Sequence, residues 1–126
     1  MILSGDDVQI QAAIDALPTN GGSICFREGT YTLGSATVII AKNGVTLFGQ
    51  GGGTVITCKA NFDKDFFDLG HASVQYSNCK IHDIYFDGRK ANNIANGIII
   101  DNSTQTKNID GLEIFGCFFV DSNSYC

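Results

Sequence analysis

The chain has 126 residues, 44% of them hydrophobic and 17% charged, and carries a formal net charge of −5 with a pI near 4.6. That length suits a single domain, 1–126, with a modest core, and the apolar content separates it from disordered chains. The acidic balance speaks against nucleic acid, which is held largely by phosphate neutralisation, and no apolar run approaches the length of a membrane span.

Fifteen glycines against one proline, with nine Phe, four Tyr and no Trp, point to many tight turns and β-compatible bulk. The start, Met1-Ile2-Leu3-Ser4-Gly5-Asp6, has neither a basic leader nor an apolar core of signal-peptide length. As written, the chain is expected to be soluble and not exported.

The first predicted element is a helix over 6–18. Asp6 is placed to cap it with Gln9 completing a capping box, Ile10, Ala13, Ile14 and Leu17 share one face, and Pro18 closes it. A turn at Thr19-Asn20-Gly21-Gly22 follows, and the period then becomes strand-like. Strands are predicted over 24–27, 30–33, 37–40, 45–48, 55–58, 66–69, 81–86, 97–100 and 109–120, the last broken near Gly116, with Gly and Asn marking the turns between them.

A five-residue pattern recurs within these strands: Val45-Thr46-Leu47-Phe48-Gly49, Ile84-Tyr85-Phe86-Asp87-Gly88 and Leu112-Glu113-Ile114-Phe115-Gly116. Each copy has an aliphatic residue first, an apolar one third and glycine fifth, so one face points inward before a turn. The copies begin at 45, 84 and 112, an unequal spacing that suits a strand solenoid with loops of variable length. An antiparallel sandwich is the other arrangement open to so many short strands, but it does not require the same motif at each return. The repeat predicts Leu47, Phe86 and Ile114 stacked in the interior, and the helix is expected to cover the first coil.

The order of elements carries a resemblance. Asp6 to Leu17, then Gly21-Gly22-Ser23-Ile24-Cys25-Phe26, Glu28-Gly29-Thr30-Tyr31 and Val45-Thr46-Leu47-Phe48-Gly49-Gln50-Gly51 resemble the beginning of the pectate-lyase-like superfamily of right-handed parallel β-helices. Ile84 to Asn93 resembles a later strand and loop of its polysaccharide-degrading members and of phage tailspikes. The resemblance spans about residues 6–120. It implies an all-β fold, a short right-handed parallel β-helix of about four coils over 22–126 with an N-terminal capping α-helix. In function it implies either the N-terminal part of a polysaccharide lyase or hydrolase, inactive by itself, or a non-catalytic glycan-binding or structural module such as a tailspike shaft. Catalytic residues of the family usually lie on later coils. A Ca²⁺ ion is implied by the resemblance alone, as is a virion-associated alternative to the cytoplasm; the residues themselves indicate no cofactor and no metal.

Candidate chemistry is sparse. Glycosidic cleavage needs two carboxylates at a set separation, and β-elimination needs a base with a positive group to stabilise the developing anion. Asp87, Arg89 and Lys90 fall together at one strand end and are the candidate catalytic residues, against the reading of Asp87-Gly88 as a plain turn. Asp83, Asp101 and Asp121, also near strand ends, are the candidate substrate-binding residues. His71 and His82 read as surface residues without a partnered nucleophile, and Gln50-Gly51-Gly52-Gly53 lacks the lysine and helix start of a phosphate loop. Asn102-Ser103-Thr104 fits a glycosylation sequon, a coincidence in an unexported chain.

Cys25, Cys58, Cys79, Cys117 and Cys126 show no zinc spacing and read as small buried hydrophobes. The apolar run Cys117-Phe118-Phe119-Val120 is followed only by Asp121-Ser122-Asn123-Ser124-Tyr125-Cys126. An uncovered last coil is expected either to continue in a longer protein or to associate with another copy, with Cys126 as a secondary cross-link.

Overall fold

Alternating inward and outward side chains, interrupted by glycine and asparagine, produce short parallel strands that stack on one another. The computed structural model describes residues 6–62, 64–69, 78–89, 100–101 (backbone) and 110–121. These form α1 (Asp6–Asp15) and nine strands: β1 (Gly22–Cys25), β2 (Gly29–Leu33), β3 (Val38–Ile40), β4 (Val45–Cys58), β5 (Phe67–Leu69), β6 (Lys80–Asp87), β7 (Ile100–Asp101), β8 (Glu113–Phe115) and β9 (Phe118–Val120). One sheet runs β1-β4-β6-β8, with β2 on β4 and β9 on β6. A second sheet runs β3-β5-β7. Every pair among the described strands is parallel, which rules out an antiparallel sandwich for them.

The chain therefore makes repeated passes, each crossing the first sheet and, in the first three, going on to the second. The expected strands at 45–48 and 55–58 merge into the single long β4, whose register shifts between Phe48 and Gly51 and again between Gly51 and Val55. The buried Thr54 hydroxyl pins this irregular stretch by accepting from Gln50 N at 2.9 Å and donating to Phe26 O at 3.2 Å.

Register corrects the repeat. Leu47 pairs with Ile81, not Phe86, and Ile81 pairs with Ile114. Phe86 belongs to another column, between Ile56 and Phe119. The true second copy is Cys79-Lys80-Ile81-His82-Asp83, and the spacing becomes 34 and then 33 residues (47 to 81, 81 to 114). The copy was hidden because Asp83 stands where Gly116 stands one pass later. Asp83 adopts φ +58° and Gly116 φ +64°, and Asp is among the few residues that tolerate this left-handed region.

A second bend is equally regular. Gly21, Gly44, Asn78 and Gly111 each come just before a strand of the first sheet, and all have positive φ, between +60° and +92°. A Cβ on Gly21 would strike the Asn43 and Gly44 carbonyls, so the bend requires glycine there.

The core lies between the sheets. Leu47, Ile81, Ile56 and Phe86 face Val38, Ile40, Phe67 and Leu69, and all eight are almost fully buried. Phe86 lies edge-on to Phe67 at 6.0 Å between centroids. The same inward columns end at Ile114 and Phe119, which remain 41% and 40% exposed because no described strand lies beyond them. Leu47 and Phe86 are thus interior as expected, whereas Ile114 is only partly covered.

The helix covers the first pass in two ways. Ile10 and Ile14 are buried and Leu17 packs beside them against Gly22, while Ala13, expected on the same face, is exposed. Polar side chains close the strand edge. Asp6 accepts from Thr32 N at 2.5 Å, so its carboxylate serves a strand rather than its own helix. Asp7, 2% exposed, accepts from the backbone N–H of Gly34, Ser35 and Ala36 and from the Ser35 hydroxyl. Gln11 behaves like a missing strand residue: its amide donates to Ile39 O at 2.9 Å and accepts from Ile39 N at 2.7 Å. Lys42 donates to the Asp15 and Leu17 carbonyls at the helix end. No helix among the described residues is long and apolar enough to cross a membrane.

Candidate functional site

The parallel register turns each outward position into a row. Ser23, Thr46, Lys80 and Glu113 form one row on the outer face of the first sheet, and Cys25, Phe48, His82 and Phe115 form the next. Phe48, His82 and Phe115 stack nearly parallel, with centroids 5.3 and 4.5 Å apart and planes within 10°. The geometry follows from the fold, since identical outward positions on neighbouring parallel strands lie about 4.8 Å apart. His82 Nδ1 lies 2.7 Å from Asp83 Oδ2, which fixes the ring's rotation in the stack. Lys80 Nζ lies 3.2 Å from Glu113 Oε2 in the adjacent row. Both side chains are about half exposed, so this pair contributes little stability and remains open to a ligand.

The structure brings Asp87 and Arg89 together at one end of β6, beside Asp121, which follows the Val120 partner of Asp87, and places Asp83 and Asp101 elsewhere. Asp87 lies at the end of β6, where Oδ1 accepts from Arg89 N at 2.9 Å; this is an Asx turn. Arg89, at φ +49°, sends Nη1 back to Cys58 O at 3.1 Å, tying one pass to the preceding one. Lys90 and His71 lie outside the described residues. Asp83 stands at the left-handed bend within β6, and Asp87 closes the strand four residues later. Asp101 lies in the second sheet, its backbone paired with Asp68, and Asp121 is exposed at φ +52° directly after β9. Among the described residues no three His, Cys, Asp or Glu side chains come together as metal ligands.

The ring row and the Lys80–Glu113 pair were missed from sequence because the repeat was aligned on Ile84. Aligned instead on Ile81, the spacing of 34 and 33 residues leads from Phe48 to His82 to Phe115. Of the cysteines, Cys58 and Cys79 are buried as expected, and Cys25 is exposed on the outer row. Burial pushes the Cys79 and Cys117 thiols above the ordinary value, despite nearby backbone donors that act in the opposite sense. Comparison with protein-family models, curated proteins and solved structures finds no match.

Proposed function

We propose that the stacked passes are coils of a right-handed parallel β-helix, about four in number, and that the chain is a glycan-binding module without cleaving activity of its own. The observation that carries this reading is the pair of outward rows on the first sheet. A polar row of Thr46, Lys80 and Glu113 runs beside a ring row of Phe48, His82 and Phe115, and both repeat at the strand spacing. An extended polysaccharide offers alternating hydroxyls and apolar C–H edges with a repeat close to that spacing. One sugar residue per strand would meet a hydrogen-bonding group and a ring edge at each step. The resemblance to polysaccharide-acting β-helices supports the same substrate class.

Absence of cleavage rests on the contacts that the candidate side chains already make. Asp83 is engaged with His82, Asp87 closes a turn, and the guanidinium of Arg89 is directed at a backbone carbonyl. Each of these side chains is committed to a structural contact, which supports binding over acid and base work.

Titration calorimetry with neutral and acidic oligosaccharides of two to six residues tests the reading. Affinity should rise with length up to about four residues, fall at least tenfold in Lys80→Ala and His82→Ala, and be accompanied by no unsaturated product or new reducing ends. Binding that ignores length or these two side chains would overturn it, and so would turnover that disappears in Asp87→Asn.

A further inference from the structure

The last described strands, β8 and β9, pair with β6 through one edge each, and no described strand lies on their other edges. Ile114, Phe115, Phe118 and Phe119 are between 40% and 57% exposed there. Together they leave on the order of 300 Å² of apolar surface, the size of the largest patch on an ordinary monomer, but here it lies beside open backbone groups that offer a template for another strand. At the other end, Asp6 and Gln11 already serve the outer edges of β2 and β3, and Asp7 serves the turn between them. Stacking end to end in one direction would require α1 to be displaced.

We infer that this face binds a second copy of the chain about a two-fold axis, and the pattern of β8 and β9 defines the axis. The two strands flank the bend at Gly116-Cys117, and their inward and outward positions mirror each other across it. Ile114 and Phe119 continue the inward columns, while Glu113, Phe115, Phe118 and Val120 lie on outward ones. A two-fold axis through the bend, perpendicular to the stacking direction, sets β8 of one copy antiparallel to β9 of the other. Ile114 then meets Phe119, Phe115 meets Phe118, and Glu113 meets Val120, so every inward residue faces an inward one and no carboxylate faces a carboxylate. Both open edges are paired at once, as an isologous interface requires. An axis centred on β8 alone would leave β9 bare.

This arrangement follows from the register and does not depend on glycan binding. Sedimentation velocity with reductant present, across the micromolar range, should show a dimer for the unaltered chain. Phe115→Lys with Phe118→Lys sets like charges opposite one another and should weaken dimerisation at least tenfold. Phe115→Lys with Phe118→Glu restores complementary pairs and should recover the dimer, with affinity falling as salt rises. Circular dichroism and the urea midpoint serve as fold controls, since both side chains are about half exposed. A monomeric unaltered chain at high micromolar concentration would overturn the inference. So would open-ended polymers, or equal behaviour of the two double variants; a β8-to-β8 contact, for example, would set Phe115→Lys against Glu113 in both.

Discussion

Replacing Asp7 tests how the first pass is closed. Its carboxylate is 2% exposed and takes three backbone N–H groups and the Ser35 hydroxyl. Asp7→Ala orphans the N–H groups of Gly34, Ser35 and Ala36. At about 1–3 kcal/mol for each buried unsatisfied group, reduced because water can reach a turn, the expected loss is about 3–4 kcal/mol. Asp7→Asn keeps the shape but turns an amide donor toward other donors, and should lose about 2–3 kcal/mol. Burial alone would raise the Asp7 pKa, but the donors from Gly34, Ala36 and Ser35 outweigh it and hold the folded value below the ordinary 3.8. The carboxylate's contribution is therefore complete above the unfolded pKa and is lost as pH falls through the lower folded one. Urea denaturation from pH 7 to pH 3 should show the gap between the parent chain and Asp7→Asn closing only at the acid end of that range. A variant within about 0.5 kcal/mol of the parent at pH 7, a size ordinary for surface changes, would refute the reasoning.

Ile14 is 1% exposed beneath the helix, so Ile14→Asp should destabilise the chain by about 3–5 kcal/mol; an unchanged melting temperature would show that the helix does not cover the first pass. Gly116 has φ +64°, and a Cβ there would press on the Asp83 carboxylate. Gly116→Ala should accordingly cost about 1–3 kcal/mol and shift the His82 ring resonances, as read by urea midpoints and NMR.

Much of the fold was legible because strands and turns are local. Alternation located most strands to within a residue or two, and glycine or asparagine marked the bends. Register was harder, because two segments of the third pass satisfy the same apolar pattern. Ile84 to Gly88 looked like the repeat by ending in glycine, while Cys79 to Asp83 is the repeat and ends in an aspartate at φ +58°. The polar half of the helix cap was also illegible. Asp7 and Gln11 act on groups 27 and 28 residues away, and nothing local distinguishes them from solvated helix residues. The candidate site inherited the register error. Asp87 and Arg89 were grouped by adjacency in sequence, yet their side chains serve a turn and a neighbouring pass. Phe48, His82 and Phe115, far apart in sequence, form one row.

The stacking register underlies both the outer rows and the dimer face, and nuclear Overhauser contacts in a methyl-labelled sample read it most directly. The structure predicts an unbroken chain of contacts from Leu47 to Ile81 to Ile114, with Phe86 in contact with Ile56 and Phe119. Close Hα–Hα contacts of antiparallel strands within one copy, apart from the β8–β9 seam between copies, or Leu47 in register with Phe86, would contradict it.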